Sequence, residues 1–274
     1  MAFPAKRAAR RLLPHSLYRR YRRRKVASLI AGYPARLISH DYGGHRLSVE
    51  LADPLAEGWY DHDWEEPRAI GFLRDRGVLR EGATVLDLGA HQAVIALMLA
   101  REVGESGRVV AVEAEPHNAK MAERNRELNA AANLTVLHAA AAAEPGVVSF
   151  AEGLNGQIDA RTAAGNVEVR ALTVDELAVR FGAPSLVMID VEGYEMSVLR
   201  GAGTLLGDGA TSFLVEIHEE IVQYGSSAEE VLAIFEGYER HVAVEDDDPL
   251  RPLAGAHPEG RFFLVALPRP AAAA

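Results

Sequence analysis

At 274 residues, 49% of them hydrophobic and 25% charged, the chain can hold one large or two modest domains with a real core, which excludes a fibrous or wholly disordered protein. With no cysteine, disulfides, thiolate metal sites and a cysteine nucleophile are excluded as well. The net charge of -10 hides a split, because residues 1–30 carry ten Lys/Arg and no Asp/Glu, leaving 19 basic against 39 acidic residues, a charge of -20, in the remainder.

The basic arm, taken as residues 1–40, contains "YRRYRRRKVASLI" after Pro14 and Ser16, a helix start, but Leu17, Tyr21, Val26, Leu29 and Ile30 form only a ragged apolar stripe. No apolar run approaches the roughly 18 residues of a spanning helix, and the apolar stretch of a secretory signal is missing. The arm reads either as a solvated terminus against the acidic body or as a peripheral contact to anionic headgroups, beside two tyrosines. A cytoplasmic location is expected.

Residues 41–80 form an extension. Alternation over His45–Asp53 predicts a strand, and "WYDHDWEEPRAIGFLRDRGVL" leads through a loop into a helix from about Glu66 to Gly77. Trp59, Tyr60 and Trp64 pack against the core or form a substrate lid, in which case Asp61, His62 and Asp63 face the ligand. From residue 81 to 268 short apolar runs alternate with helical segments. Strands are expected at 84–88, 109–113, 134–138, 186–190, 212–217, 241–245 and 261–267, and helices near 93–103, 117–130, 173–181, 194–200 and 227–236. That rhythm predicts an α/β fold with a mainly parallel sheet covered on both faces. The last two strands are joined only by the polar loop "DDDPLRPLAGAHPEG" and so form an antiparallel hairpin. A small strand pair is expected within 147–170, and the tail 269–274 is expected to be disordered.

In an open parallel sheet the ligand lies beyond the carboxyl ends of the strands. Those ends deliver Asp87-Leu88-Gly89, Glu113, His138-Ala139, Asp190-Val191-Glu192 and Glu216-Ile217-His218. Four of the five carry a carboxylate, which repels phosphates and welcomes a cationic or hydroxyl-rich ligand. "TVLDLGAHQAVIAL" has the Gly89-Ala90 turn, yet the second and third glycines of a dinucleotide fingerprint are missing around Ala93, which argues against a nicotinamide-dependent oxidoreductase. Glu113, 24 residues beyond Gly89, stands close to where an acid grips a ribose diol. A ligand with a ribose and no pyrophosphate fits, and S-adenosylmethionine, a sulfonium, is such a ligand.

"TVLDLGAHQAVIAL", "VVAVEAEPHNAKMAERNRELN" and "TVDELAVRFGAPSLVMIDVEGYEMSVLRGA" followed by "LVEIH" together resemble the FkbM family of methyltransferases, in order over residues 84–218. The resemblance implies a class I, Rossmann-like fold with a seven-stranded sheet whose last strand is reversed, S-adenosylmethionine as cofactor, and O-methylation of a small-molecule, sugar or glycan hydroxyl. His91 and Ala93 replace the usual Asn and Gly of the first motif, which bears on cofactor affinity. Met188 stands where a lysine is common, which bears on acceptor choice.

Cofactor contacts are thus expected from Asp87, Gly89, Ala90, His91, Glu113, His138, Ala139 and Asp190. Their bland alternatives are helix capping for Asp87 and Asp190 and a solvated surface acid for Glu113. Catalysis requires an acceptor held against the methyl group and a proton acceptor for its hydroxyl. His218, paired with Glu216 on one strand face, and Asp190 are both candidates; His218 is otherwise a structural histidine. Asp190, Glu216 and His218 also form a set that can ligate a divalent metal, a reading not favoured here. No specific nucleic acid partner is expected. A catalytically degenerate, membrane-associated binding module is the non-enzymatic alternative.

Overall fold

The computed structural model describes residues 15–151, 157–158 and 167–269. Most of the 152–166 loop, the first 14 residues of the arm and residues 270–274 of the expected disordered tail lie outside them. A helix α1 (His15–Gly32) carries the basic stretch, and among the described residues no helix is long and apolar enough to cross a membrane. Strand β1 (Arg36–Tyr42) begins inside the segment assigned to the arm and pairs antiparallel with β2 (His45–Leu51) around Gly43 and Gly44, both at positive φ. Two helices follow, α2 (Pro54–Tyr60) and α3 (Arg68–Asp75). Asp53 caps α2 by accepting the Leu55 and Ala56 N–H groups at 2.9 Å, with Pro54 in the first turn, so the segment read as a loop is partly helical.

The central unit comprises β3 (Thr84–Leu88), α4 (Val94–Glu102), β4 (Arg108–Glu113), α5 (Pro116–Leu128), β5 (Leu134–His138), α6 (Val174–Phe181), β10 (Leu186–Ile189), α7 (Glu195–Arg200), α8 (Gly203–Asp208) and β11 (Ser212–Ile217). It continues with a 3-10 turn (Glu219–Tyr224), α9 (Ala228–Ile234), β12 (Glu239–Ala243), β13 (Arg251–Pro252) and β14 (Phe262–Leu267). The strands are ordered β13-β12-β14-β11-β10-β3-β4-β5. Neighbours from β11 to β5 are parallel, whereas β14 runs antiparallel to both β11 and β12. All seven expected strands are present, and the last of them, β14, is reversed as expected. The two-residue β13 extends the sheet to eight, a length too short for any periodicity to announce it. The expected small pair is present as β7 (Gly146–Ala151) against β9 (Val167–Leu172), joined by β6 (Ala140–Ala141) and β8 (Gln157–Ile158) in a second sheet.

Alternation across the strands divides the core into two layers. Val85, Val109 and Ala111 pack with α4 and the β1–β2 extension, while Leu86, Leu88, Val110 and Val112 pack with α6, α7 and α9. Asp87 lies two residues after Val85 and Glu113 two after Ala111, and Asp87 pairs in register with Ala111. The two acids therefore point to one face of the sheet, the one covered by α4 and the extension.

Candidate active site

The turn between β3 and α4 is fixed by its backbone. The N–H groups of Gly89 and Ala90 donate to the Val112 carbonyl at 2.9 and 3.2 Å, stapling the turn to β4. Gly89 has φ +93, and a Cβ there would stand 1.8 Å from the Asp190 carbonyl oxygen. The first glycine is thus required by the packed β10 exit, irrespective of any ligand. After it the chain takes a left-handed backbone at two residues with side chains, His91 (φ 48) and Ala93 (φ 63).

Asp87 is buried, and its Oδ2 has no hydrogen-bond partner among the described residues. Burial alone pushes its carboxyl up to about 7. It is not a helix cap, since Ala93 holds that position for α4. In register it faces Met188, so the position where a lysine is common gives Asp87 no cation. Glu113 is no solvated acid: it is buried, and its two oxygens accept the Glu115 and His91 N–H groups, each at 2.7 Å. Burial outweighs these two donors, which favour the charged form, and carries its carboxyl up to about 8. Each oxygen keeps a further lone pair for a ligand hydroxyl. His138, paired with Glu113 in register, exposes its ring and donates from Nε2 to the Ala114 carbonyl at 3.2 Å. Ala139 is buried and donates its N–H to the Glu113 carbonyl at 3.0 Å.

Across the β3–β10 boundary lies a second group of charges. His218 is the first residue after β11, and its Nδ1 donates to Oε1 of Glu195 at 2.7 Å. Its Nε2 stands 3.4 Å from Glu216 and 3.6 Å from Asp190. Burial works against the imidazolium, but Glu195, Glu216 and Asp190 together lift it to about 11, so the ring is a cation at neutral pH. Glu216 is bound by Arg261 at 2.6 Å, and despite burial the His218 and Arg261 cations hold its carboxyl below the ordinary range. Asp190 is pushed well above that range, first by burial and then by the Glu216 carboxylate. It does not cap α7, whose cap is Tyr194. Glu192, at φ 52, brings a carboxylate oxygen to the same place. Atoms of Asp190, Glu192 and His218 lie within 4.8 Å of one another, a set able to hold a divalent cation only once the His218 ring gives up its proton. The expected set contained Glu216 in place of Glu192, but Glu216 is taken by Arg261.

Sequence reasoning missed Glu195 as a site residue, although it was quoted in the motif. A buried acid five residues past a strand-end Asp is a signal only once the turn geometry is known. Trp59, Tyr60 and Trp64 do pack together over the turn, Tyr60 hydrogen-bonding His91 Nδ1 at 2.7 Å. Asp61 and Asp63 do not face this site. They bind Arg36 and His40 of β1, with His40 3.1 Å from Asp61 and 3.2 Å from Asp63, because the hairpin places those cations beside them.

The family described as the methyltransferase FkbM domain matches residues 87–242, more than half of the chain. A protein-L-isoaspartate O-methyltransferase of Methanococcoides burtonii is 34% identical over 92 residues, 33% of this chain and 45% of that protein. A tRNA adenine-N1 methyltransferase of Methanocaldococcus jannaschii is 36% identical over 59 residues, 22% of this chain and 21% of that one. The chain thus spans less than half the length of the curated relatives it matches. A solved FkbM methyltransferase of Methylobacillus flagellatus aligns over 67% of this chain and 43% of its own, with 16% identity and a TM-score of 0.45.

Proposed function

This chain belongs to the FkbM methyltransferase family, and from that premise we propose that it transfers the methyl group of S-adenosylmethionine to a hydroxyl of a small molecule, sugar or glycan. The observation that carries the reading is the pair of buried acids, Asp87 and Glu113, on one face at adjacent strand tips, with an orphaned oxygen on Asp87. A buried carboxylate without a partner is costly unless a ligand completes it. Glu113 suits a ribose diol, and Asp87 suits the ammonium end of the cofactor's methionine portion. When bound, S-adenosylmethionine supplies an electrophilic methyl group on a sulfonium.

The chain's own part is positioning and proton management. Asp190, whose carboxyl is pushed up first by burial and then by the Glu216 carboxylate, is assigned as the proton acceptor for the hydroxyl. His218, locked by Glu195 and already protonated, holds the Asp190 carboxylate in place and lends it positive charge; that assignment favours Asp190 over His218 as the base. The acidic surroundings, including Glu192, Glu216 and Glu245, disfavour a polyanionic acceptor. Calorimetric titration of S-adenosylmethionine into the wild type and Glu113→Ala tests the reading. Binding by the wild type and loss of about tenfold or more in the variant is expected; a wild type that releases no heat of binding removes the proposal. Incubation with a metabolite extract and a mass search for one added methylene identifies the acceptor.

A further inference from the structure

The left-handed turn at His91 and Ala93 is held in part from outside the segment that matches the family. Gln92, fully buried between them, donates from Nε2 to Asp53 Oδ2 at 2.7 Å and to Asn118 Oδ1 at 3.3 Å. Its backbone carbonyl accepts from Asn125 Nδ2 at 3.0 Å. Asp53 is the cap of α2, and His117 Nε2 donates to the same Oδ2 at 3.0 Å. At the other end of α2, the Tyr60 hydroxyl meets His91 Nδ1 at 2.7 Å, and Trp59 lies against the His91 ring at 4.8 Å between centroids. Tyr60 is itself fixed, its carbonyl accepting the Tyr42 hydroxyl at 2.5 Å. One seven-residue helix therefore grips two consecutive residues of the turn, one from each of its ends.

What the grip holds matters for the ligand. A non-glycine residue at positive φ persists only where its surroundings over-determine it. The His91 backbone N–H is the donor to Glu113 Oε2, so relaxation of His91 out of the left-handed region would swing that donor away from the acid expected to bind the ribose. We propose that α2 is a positioning clamp for the cofactor turn: Asp53 and Tyr60 hold Gln92 and His91 in the backbone that aims the His91 N–H at Glu113, and thereby set cofactor affinity. Tyr60 and Asp53 act through the turn and are positioning residues. The proposal rests on the reading of the Asp87–Glu113 site given above.

The test is a rescue. Calorimetric titration with S-adenosylhomocysteine compares the wild type, Tyr60→Phe, His91→Gly and the double variant. Tyr60→Phe removes one half-buried hydrogen bond and is expected to weaken binding about tenfold. Glycine adopts positive φ without help, so adding His91→Gly to Tyr60→Phe is expected to bring affinity back to within about threefold of the wild type. A merely structural Tyr60 gives no such recovery. A double variant as weak as Tyr60→Phe, or a Tyr60→Phe that binds like the wild type, overturns the clamp. Hydrogen exchange of residues 88–94 judges it without any ligand: faster exchange in Tyr60→Phe that His91→Gly does not worsen supports it, and unchanged exchange sinks it. A wild type that binds no S-adenosylhomocysteine overturns the cofactor reading instead, and the exchange measurement still decides whether the clamp exists.

Discussion

His218 Nδ1 donates at 2.7 Å to a Glu195 carboxylate that has no exposed surface and that also accepts the Gly193 N–H at 2.8 Å. Such a pair is bound tightly because neither partner has water to fall back on. Glu195→Gln keeps the shape and removes the charge. The His218 midpoint is expected to fall from about 11 by at least about one unit, read by NMR of the ring protons, and stability to drop by about 3 kcal/mol. In the wild type the raised folded value means that this contribution is complete below the ordinary histidine range, about pH 6.5, and is lost as pH rises through about 11. The variant should show a flatter stability profile over that window; an unmoved midpoint would contradict the assignment.

Asp87 reverses the sign. Its carboxyl is raised in the folded chain, so the fold binds a proton that the unfolded chain has released, and stability falls as pH climbs from the ordinary carboxyl range to about 7. Asp87→Asn is therefore expected to raise the ligand-free stability by about 1–3 kcal/mol at pH 8 while weakening S-adenosylmethionine binding at least about tenfold. Thermal melts with and without the cofactor read both effects. A variant destabilised at pH 8 would show that Asp87 is a structural acid.

Gly89→Ala places a methyl group against the Asp190 carbonyl in a backbone at φ +93. The expected loss is about 3 kcal/mol or more, because the obstacle is backbone and cannot rotate aside. Urea unfolding measures it. Gly58→Ala is the control: it lies within α2 and a Cβ there meets nothing within 4 Å, so no loss and a gain of up to about 1 kcal/mol is expected.

The strand tips were legible because a parallel sheet announces itself through apolar runs of five or six residues, and their ends follow directly: β3, β5 and β11 have the expected limits, and β4 starts one residue earlier. β1 was missed because only Tyr42 of its seven residues is buried, so no alternation marks it. α2 had a readable start in Asp53-Pro54, obscured by the aromatic and acidic run that follows. The carboxylates at the strand ends could be named in advance, but not what each one touches. His218 was paired with its strand neighbour Glu216, whereas its nearest acid, Glu195, comes from 23 residues away on α7. Likewise the tie between Tyr60 and His91 spans 31 residues and two elements, a relationship that turn geometry creates and spacing does not encode.

Strand β14 is buried along its whole length and lies between β11 and β12, both of which precede it in the chain. During synthesis the sheet therefore waits for residues 262–267, and until they arrive two apolar strand borders stand open to pairing with other chains. The interval of synthesis between β12 and β14 is therefore the vulnerable one, and chaperone dependence should concentrate there.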